Sequence, residues 1–552
     1  MTNKKITTSD ISSAEKILGI SYLKVEREQM VSNLESQILS AKIRRRHKLE
    51  NSIPMASKFD PRLPGFKMPP GSGVKAKSKC VPIPKNDEDI AFATIGEQGY
   101  WIKRGKITSR KLTEIYLDRI EMLQDKLECF VTVTKQQALA EADAMDSLTD
   151  QGINLGPLHG IPYGLKDLFD TKGIKTGWGA EPYRDRVPNK DAAVAELLRI
   201  AGAVMLGKTT LGALAYNDIW YGGRTKNPWN LNEGSSGSSA GSASATAAGL
   251  CSFSIGTETL GSITSPSQRC GTTGLRPTFG RVSRRGSMAL CWSLDKVGPI
   301  CRCVEDTGTV LSVLNGYDED DRFSIKAPFN FDSSKKIDDL IIGYLPETFD
   351  EGATELDRAT LKVAMNLGAK VKEVTLEDLP YMSLINILYA EAAATFEHLT
   401  FSGEDDTLTW QDNEAWPNTF RKARFLSAVD HVQLDRLRYL VMKALDDLFN
   451  EIDILIGPFD TGPMLVASNF TGHPCLHLRA GYEKIATRGA TSFNKKNFKP
   501  EEAGQEKKFR VPHGISLWGG LFEEEKILNF GIALENALDV CKERPKPSID
   551  PL

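Results

Sequence analysis

Three pieces of sequence decide the fold: the Gly/Ser-rich run Gly234-Ser-Ser-Gly-Ser238-Ser-Ala-Gly-Ser-Ala243, the apolar run Cys251-Ser-Phe-Ser-Ile255, and the turn Gly256-Thr-Glu-Thr-Leu-Gly-Ser262-Ile263-Thr264-Ser265-Pro266. The apolar run reads as a strand that delivers the chain into a tight turn ending at Ser262. Consecutive backbone N–H groups at such a turn point at one spot and stabilise an oxyanion. The small residues Ser242-Ala-Ser-Ala-Thr-Ala-Ala248 read as a helix. Upstream, Gly160-Ile-Pro-Tyr-Gly-Leu-Lys166-Asp167 closes a short apolar strand with a lysine. Desolvation disfavours the charged amine, so a lysine in a dry pocket works as a base. A serine hydroxyl both accepts and donates a proton, which makes a Ser–Ser–Lys relay feasible without histidine.

Outward from this centre the pattern alternates. Residues 107–123 are amphipathic, 129–134 strand-like and 136–148 helical and Ala-rich. A helix over 191–200 runs into Gly202 and a strand at 203–206. Further strands are expected at 340–344 and 452–456, and a long helix at 434–449. Strands alternating with helices predict an α/β fold with a largely parallel or mixed sheet and helices on both faces. Residues 1–50 read as helical: Ser12 and Glu15 have capping-box spacing, and Leu23, Val31, Leu34, Ile38 and Ile43 recur near helical spacing. The run Arg44-Arg45-Arg46-His47-Lys48 reads as a solvated helix end, where cations suit the dipole. Residues 52–88 are rich in proline, glycine and lysine and read as an irregular linker. The division expected is therefore 1–88, a helical arm and linker, and 89–552, a catalytic domain. Residues 482–510, rich in Lys, Gly and Glu, read as a surface insertion.

Bulk properties narrow the class. The 552 residues carry 69 basic and 72 acidic side chains, a formal charge of −3. That balance disfavours a dedicated nucleic-acid binder. No run reaches the roughly 18 apolar residues of a membrane span, and the polar start has no apolar signal core. The nine cysteines are odd in number and thinly spread, which fits free thiols in a reducing, cytoplasmic compartment.

Two motifs are weighed and set aside. Gly202-Ala-Val-Met-Leu-Gly-Lys208-Thr209 matches the phosphate-loop pattern by letter, but its middle residues are an apolar strand rather than an exposed loop. Gly237-Ser-Ser239-Ala-Gly241 matches a nucleophile elbow. That elbow needs a strand before it, and Asn227-Pro-Trp-Asn-Leu-Asn-Glu-Gly234 reads as a turn. His398, His431, His473, His477 and His513 stand in no diagnostic context for a Ser-His-Asp arrangement.

The third constellation adds Cys270-Gly-Thr-Thr-Gly-Leu-Arg-Pro-Thr-Phe-Gly-Arg-Val-Ser283 and Ser293-Leu-Asp-Lys-Val-Gly-Pro299. Together these stretches resemble the amidase signature family, whose motif is approximately G-G-S-S-G-G-S-A followed by G-T-D-T-G-G-S-I-R-x-P. The family's two serines lie 24 residues apart, as Ser238 and Ser262 do here, and Lys166 lies 72 residues before Ser238. Asn227-Pro-Trp229, the 201–209 stretch, the strand around Asp453 and Asn469-Phe-Thr-Gly-His-Pro474 extend the similarity over residues 89 to about 545. The resemblance implies a large mixed, twisted sheet covered by helices on both faces. It also implies a Ser–cis-Ser–Lys triad. Ser262 is then the nucleophile that forms an acyl-enzyme, Ser238, in a cis peptide with its preceding residue, shuttles the proton, and Lys166, neutral at rest, is the base. Backbone N–H groups of Thr259, Leu260, Gly261 and Ser262 would form the oxyanion hole. No metal or organic cofactor is implied, and the expected ligand is a small-molecule amide.

The family's Asp, first Gly and Arg are replaced by Glu258, Leu260 and Thr264, the G-G pair is Ser236-Gly237, and Ala240 replaces another Gly. Glu258 and Thr264 lie in one loop and are expected to compensate each other. Leu260 stands where a glycine backbone angle would be hard for a branched residue. A catalytically inactive paralogue with a binding or scaffold role is the competing class. The glutaminase branch of the family carries N-L-x-R-Y-D-G, which residues 391–403 lack, and no apolar surface helix marks a membrane-dwelling amidase. The arm resembles the small helical partner in the glutaminase complex, so homodimerisation is one expectation for it. Trp410, Trp416 and Phe420 fall where the family varies its substrate pocket, or else belong to ordinary core.

Overall fold

A computed structural model describes residues 6–75, 80–350, 352–488 and 508–547. Its centre is an eleven-stranded mixed sheet. The strands are β1 (Phe130–Val133), β2 (Pro162–Lys166), β3 (Val204–Thr209), β4 (Phe253–Glu258), β5 (Thr273–Arg276), β6 (Lys296–Cys301), β7 (Ile341–Tyr344), β8 (Lys370–Glu373), β9 (Ile454–Pro458), β10 (Cys475–Ala486) and β11 (Lys508–Gly519). Their spatial order is β8-β7-β9-β11-β10-β5-β6-β4-β2-β3-β1. β2 runs parallel to both β3 and β4, whereas β4 and β6 are antiparallel. Every residue of β2, β3, β4 and β6 is buried, as expected of central strands covered on both faces rather than half-wet ones with alternating pattern.

The helices that position the site follow from local signals. α1 (Thr8–Leu18) and α2 (Lys24–Arg45) form the arm. α3 (Ser109–Leu127) is capped by Thr108 and buries Leu112, Ile115, Tyr116, Ile120, Leu123 and Leu127, an apolar stripe at helical spacing. α4 (Lys135–Asp150) packs on β3. α5 (Ala193–Ile200) leads into β3. α6 (Ala240–Ala247) is wholly buried and packs on β2, β3, β4 and β6, which its small side chains permit. At Gly241 an added Cβ would lie 2.1 Å from the Cys129 carbonyl oxygen, so only glycine fits there. α7 (Thr264–Cys270), α8 (Ile385–Thr395), α9 (Trp416–Ala423) and α10 (Ala428–Glu451) complete the set.

Several expectations are revised. The α1 cap is Thr7 with Asp10, and the Glu15 carboxylate instead accepts two hydrogen bonds from Arg27 at 2.7 Å. Residues 226–234 are a two-stranded hairpin (Lys226–Asn227 with Asn230–Gly234) outside the main sheet, not a simple turn. Residues 482–486 and 508–510 are the ends of the β10–β11 ladder rather than insertion, and 489–507 lie outside the described residues. The expected strand at 203–206 continues to Thr209, because Gly207, Lys208 and Thr209 remain in the ladder with β2.

Candidate active site

β2 ends at Lys166, and its neighbour β4 ends at Glu258, so the two strands present their C-terminal ends side by side. Lys166 is 0% exposed. Its Nζ lies 2.9 Å from Ser238 Oγ, 3.0 Å from Ser239 Oγ and 2.8 Å from Thr257 Oγ1. Burial pushes the Lys166 ammonium well below its usual range, against a smaller pull from the Asp295 and Glu258 charges. No carboxylate lies within ion-pair distance of it among the described residues. The Gly237–Ser238 peptide bond is cis.

The two adjacent serines differ in one respect that decides their chemistry. Ser239 Oγ donates to the Thr257 carbonyl (3.1 Å) and accepts from the Thr257 N–H (3.1 Å), so its proton is already committed. Ser238 Oγ has no such carbonyl acceptor among the described residues, leaving its proton available to Lys166. The nucleophile-elbow reading of Ser239 therefore loses its nucleophile, and none of the five histidines named above hydrogen-bonds to Ser238, Ser239 or Ser262 among the described residues. His398 meets Tyr183 (2.8 Å), and His513 meets Asp357 (2.7 Å).

Ser262 lies at the end of the turn after β4 and is 7% exposed. It is tied to the cluster through its backbone: Ser239 N–H donates to the Ser262 carbonyl at 3.1 Å. A direct hydrogen bond between the Ser238 and Ser262 hydroxyls is absent among the described residues. The turn is shaped by two features. Gly261 adopts φ +83°, the left-handed conformation glycine tolerates, while Leu260 stays outside that region. Glu258 Oε2 accepts from Ile263 N–H, Thr264 N–H (both 2.9 Å) and Thr264 Oγ1 (3.1 Å). Its other oxygen accepts from Arg276 (2.7 Å) and Asn469 (2.9 Å). Burial would raise the Glu258 pKa, but the Arg276 charge and these hydrogen bonds outweigh it and hold the carboxyl at about 2. Thr264 thus hydrogen-bonds to Glu258 within the loop, and the cation beside that carboxylate is Arg276 on β5. Sequence reasoning assigns Arg276 no role, because nothing local to the Cys270–Ser283 stretch signals that its side chain points at Glu258 two strands away.

A cavity of about 500 Å³ reaches this cluster at Thr257 and Thr259. Ser262 is not part of its wall. Asp295, which accepts from Thr259 Oγ1 at 2.6 Å, and Trp178, Tyr183 and Trp292 are. Trp410, Trp416 and Phe420 are core instead: Trp416 stacks on Phe420 at 5.0 Å, Tyr216 packs against Trp410 and Trp416, and all three are buried. Lys208 of the phosphate-loop match is inside β3, with Nζ donating to the Phe169 carbonyl (2.7 Å) and Thr176 Oγ1 (2.9 Å) and lying 3.6 Å from Asp167. No group of three or more potential metal ligands occurs among the described residues.

The family model Amidase matches residues 111–528. A glutamyl-tRNA(Gln) amidotransferase subunit from Prochlorococcus marinus (strain NATL2A) is 30% identical over 496 residues, spanning 81% of this chain and 97% of that protein. The corresponding subunit from Chromohalobacter salexigens is 33% identical over 439 residues, 70% of this chain and 90% of that one. Among solved structures, the native peptide amidase from Stenotrophomonas maltophilia superposes with a TM-score of 0.68 at 26% identity, covering 83% of this chain and 99% of that chain.

Proposed function

The chain belongs to the amidase family and is an enzyme acting on carbon–nitrogen amide bonds, and from that premise we propose that Ser262, Ser238 and Lys166 carry the reaction. One observation supports this reading above the others: a fully buried lysine, lacking a carboxylate partner among the described residues, sits 2.9 Å from a serine hydroxyl whose proton is free. Ser262 Oγ attacks the amide carbonyl carbon, its proton passes to Ser238 Oγ, and the Ser238 proton passes to Lys166 Nζ. The oxyanion forms beside the N–H groups of residues 259–262. None of the Leu260, Gly261 or Ser262 N–H groups donates elsewhere among the described residues. Collapse breaks the C–N bond, and the proton returns from Lys166 through Ser238 to the leaving amine. Water then repeats the sequence on the acyl-enzyme and releases the carboxylic acid.

The substrate in this reading is a small-molecule amide, and the domain division is an arm and linker over 1–88 followed by a catalytic unit over 89–552. None of the nine cysteines is in a disulfide, and no described helix is long and apolar enough to cross a membrane. The free thiols support a cytoplasmic setting. Homodimerisation through the arm is supported by α2, a helix of 22 residues with apolar side chains and no buried residue among those described.

The test is intact-mass labelling with a fluorophosphonate. Wild type gains one adduct, Ser262→Ala gains none, and Lys166→Ala labels at least about a thousandfold more slowly, as expected for loss of a general base. A folded wild type that takes no adduct, also from a small probe, would end this reading.

A further inference from the structure

The turn 259–262 is held at both ends by carboxylates that come from different strands. Past its far end, Glu258 Oε2 accepts from the N–H groups of Ile263 and Thr264, each at 2.9 Å. At its near end, Thr259 Oγ1 donates to Asp295 Oδ1 at 2.6 Å. Between these clamps the N–H groups of Leu260, Gly261 and Ser262 stay unclaimed among the described residues. Sheet register accounts for the meeting. Lys296 lies opposite Glu258 in the antiparallel β4–β6 pair, so Asp295, one residue earlier, falls beside Thr259, one residue later.

Asp295 sits in a loop that is itself fixed. Its Oδ2 accepts from the N–H groups of Leu290 (2.8 Å) and Cys291 (3.0 Å), and its carbonyl accepts from Arg284 Nη1 (3.1 Å). Two helices pin the same loop at Ser293. The Glu391 carboxylate of α8 accepts from Ser293 Oγ (2.5 Å) and Ser293 N–H (3.0 Å). Arg438 of α10 donates to Ser293 Oγ (3.0 Å) and to the Ser293 carbonyl (2.7 Å). Thr259 is therefore tied to a rigid acceptor rather than to one that drifts with it.

The three side-chain partners of Asp295 are neutral donors, and no cation lies within ion-pair distance of it among the described residues. Its charge is thus free to act on neighbours. Of the charges that act on Lys166, Asp295 stands first and opposes the effect of burial. Glu258 comes second, and its charge is answered by Arg276 at 2.7 Å. Lys296 feels the same carboxylate, but its Nζ donates to the Leu294 and Asn469 carbonyls and not to a serine. Lys166 faces two demands that pull apart: neutrality at rest, and possession of a proton once Ser262 attacks. Burial serves the first, and a carboxylate beyond ion-pair distance serves the second without pairing the lysine outright.

Resting on the reading of Ser262 and Lys166 above, we propose that Asp295 is a positioning residue for the reaction, anchoring the oxyanion turn through Thr259 Oγ1 and supplying the negative charge that favours proton transfer to Lys166. It touches neither the substrate nor the reacting atoms. The helices that hold Ser293 thereby reach the oxyanion turn through one carboxylate.

The test is the rate of fluorophosphonate labelling at Ser262 in the full chain, followed across pH. In the wild type it should rise to a plateau as Lys166 loses its proton. Asp295→Asn should move that rise to lower pH and lower the plateau about three- to tenfold, because a less basic lysine is a weaker proton acceptor. Thr259→Val keeps the charge and cuts the tether, so the plateau should fall about tenfold with the rise unmoved. Thr259→Ser, which retains the hydroxyl, should recover most of that loss. Asp295→Glu keeps the charge and covers the case in which Asp295→Asn does not fold; its rise should stay with that of the wild type. A rise unmoved in Asp295→Asn, a rise moved to lower pH in Asp295→Glu, or a Thr259→Val plateau within about twofold of wild type overturns the proposal. Wild type and Ser262→Ala are labelled alongside. No Ser262 adduct on the wild type ends the catalytic reading and this proposal together, whereas a labelled wild type beside unmoved variants ends this proposal alone.

Discussion

Lys166 and Lys208 stand on neighbouring strands, are equally shut off from water, and do opposite things. In the β2–β3 ladder Lys166 lies opposite Thr209 and Lys208 opposite Leu165, and both lysines are 0% exposed. Lys208 has Asp167 at 3.6 Å; burial lowers its pKa and the carboxylate opposes that. Burial likewise pushes Asp167 up to about 6, against the pull of the same partner, so each of the two groups has an opposite charge beside it. Lys166 is surrounded by three hydroxyls and the Thr257 carbonyl. A buried cation without a counter-charge costs several kcal/mol, and losing the proton is the cheaper state. The difference teaches that burial alone does not make a base. Burial without a carboxylate does.

The largest effect should come from exchanging each lysine for methionine. Lys166→Met should reduce kcat and fluorophosphonate labelling by about 10³- to 10⁵-fold while leaving the melting temperature unchanged or higher. Lys208→Met strands Asp167 as a buried, unpaired carboxylate and should cost about 3–5 kcal/mol of stability while Ser262 still labels at low temperature. If Lys208→Met matched Lys166→Met in lost labelling at full stability, the contrast would collapse.

The same contrast is readable in pH. With Lys166 as base, kcat/KM should rise as pH increases through its lowered pKa and flatten well short of the ordinary lysine value of 10.5. Below that native pKa the amine is charged and cannot accept a proton. The linkage has the same sign: between the native and unfolded values the unfolded chain binds more protons, so stability also rises with pH there. Lys166→Arg keeps a permanent cation and should show no such limb at any pH, because activity stays at the background level. A rate profile identical in wild type and Lys166→Arg would assign the limb to another group.

Glu258 is the reverse of Lys166, a buried charge that is kept because Arg276 at 2.7 Å and four further hydrogen bonds hold it. Its native pKa of about 2 lies below the ordinary 4.5, so its contribution is complete above pH 4.5 and is lost as pH falls through about 2. Glu258→Gln should therefore lower stability at pH 7 by about 3 kcal/mol and flatten part of the acid unfolding curve. His473 and His477, both held neutral by burial at about 3, add acid sensitivity of the same sign between about 6.5 and 3. Urea titrations of wild type and Glu258→Gln at pH 7 and pH 4 compare the two directly.

What the sequence disclosed tracks how local the cause is. β2, β4 and the small-residue helix α6 are visible because unbroken apolar or Ala/Ser runs are a local signature of burial, and the resemblance to the amidase signature, with its 24-residue serine spacing, pointed to the three candidate residues. Glu258 and Thr264 were legible as a changed pair, but Arg276 was not, since pairing across β5 depends on sheet order. Sheet order likewise hid the role of Ser239, whose proton is taken by Thr257 on β4. The aromatic residues showed the limit most clearly. Trp410, Trp416 and Phe420 read equally well as pocket or core, and Trp178, lying in a Gly-Trp-Gly turn, carried no period at all.

The smallest effects belong to the turn after β4, where the departure at Leu260 is tested against its neighbour. Left-handed backbone falls on Gly261 (φ +83°), and an added Cβ there would meet nothing closer than 3.7 Å. Gly261→Ala thus perturbs conformation with little steric cost, and should slow Ser262 labelling about tenfold and lower stability by about 1 kcal/mol. Leu260 already sits in ordinary backbone space, with its side chain half-buried against the core. Leu260→Gly, which restores the family residue, should change labelling by less than about threefold and cost about 1–2 kcal/mol through lost packing and a looser unfolded chain. A rise in labelling of tenfold or more in Leu260→Gly would mean that the leucine throttles the oxyanion turn after all. A loss as large as that of Gly261→Ala would mean that packing at position 260, not the angle at 261, shapes the turn.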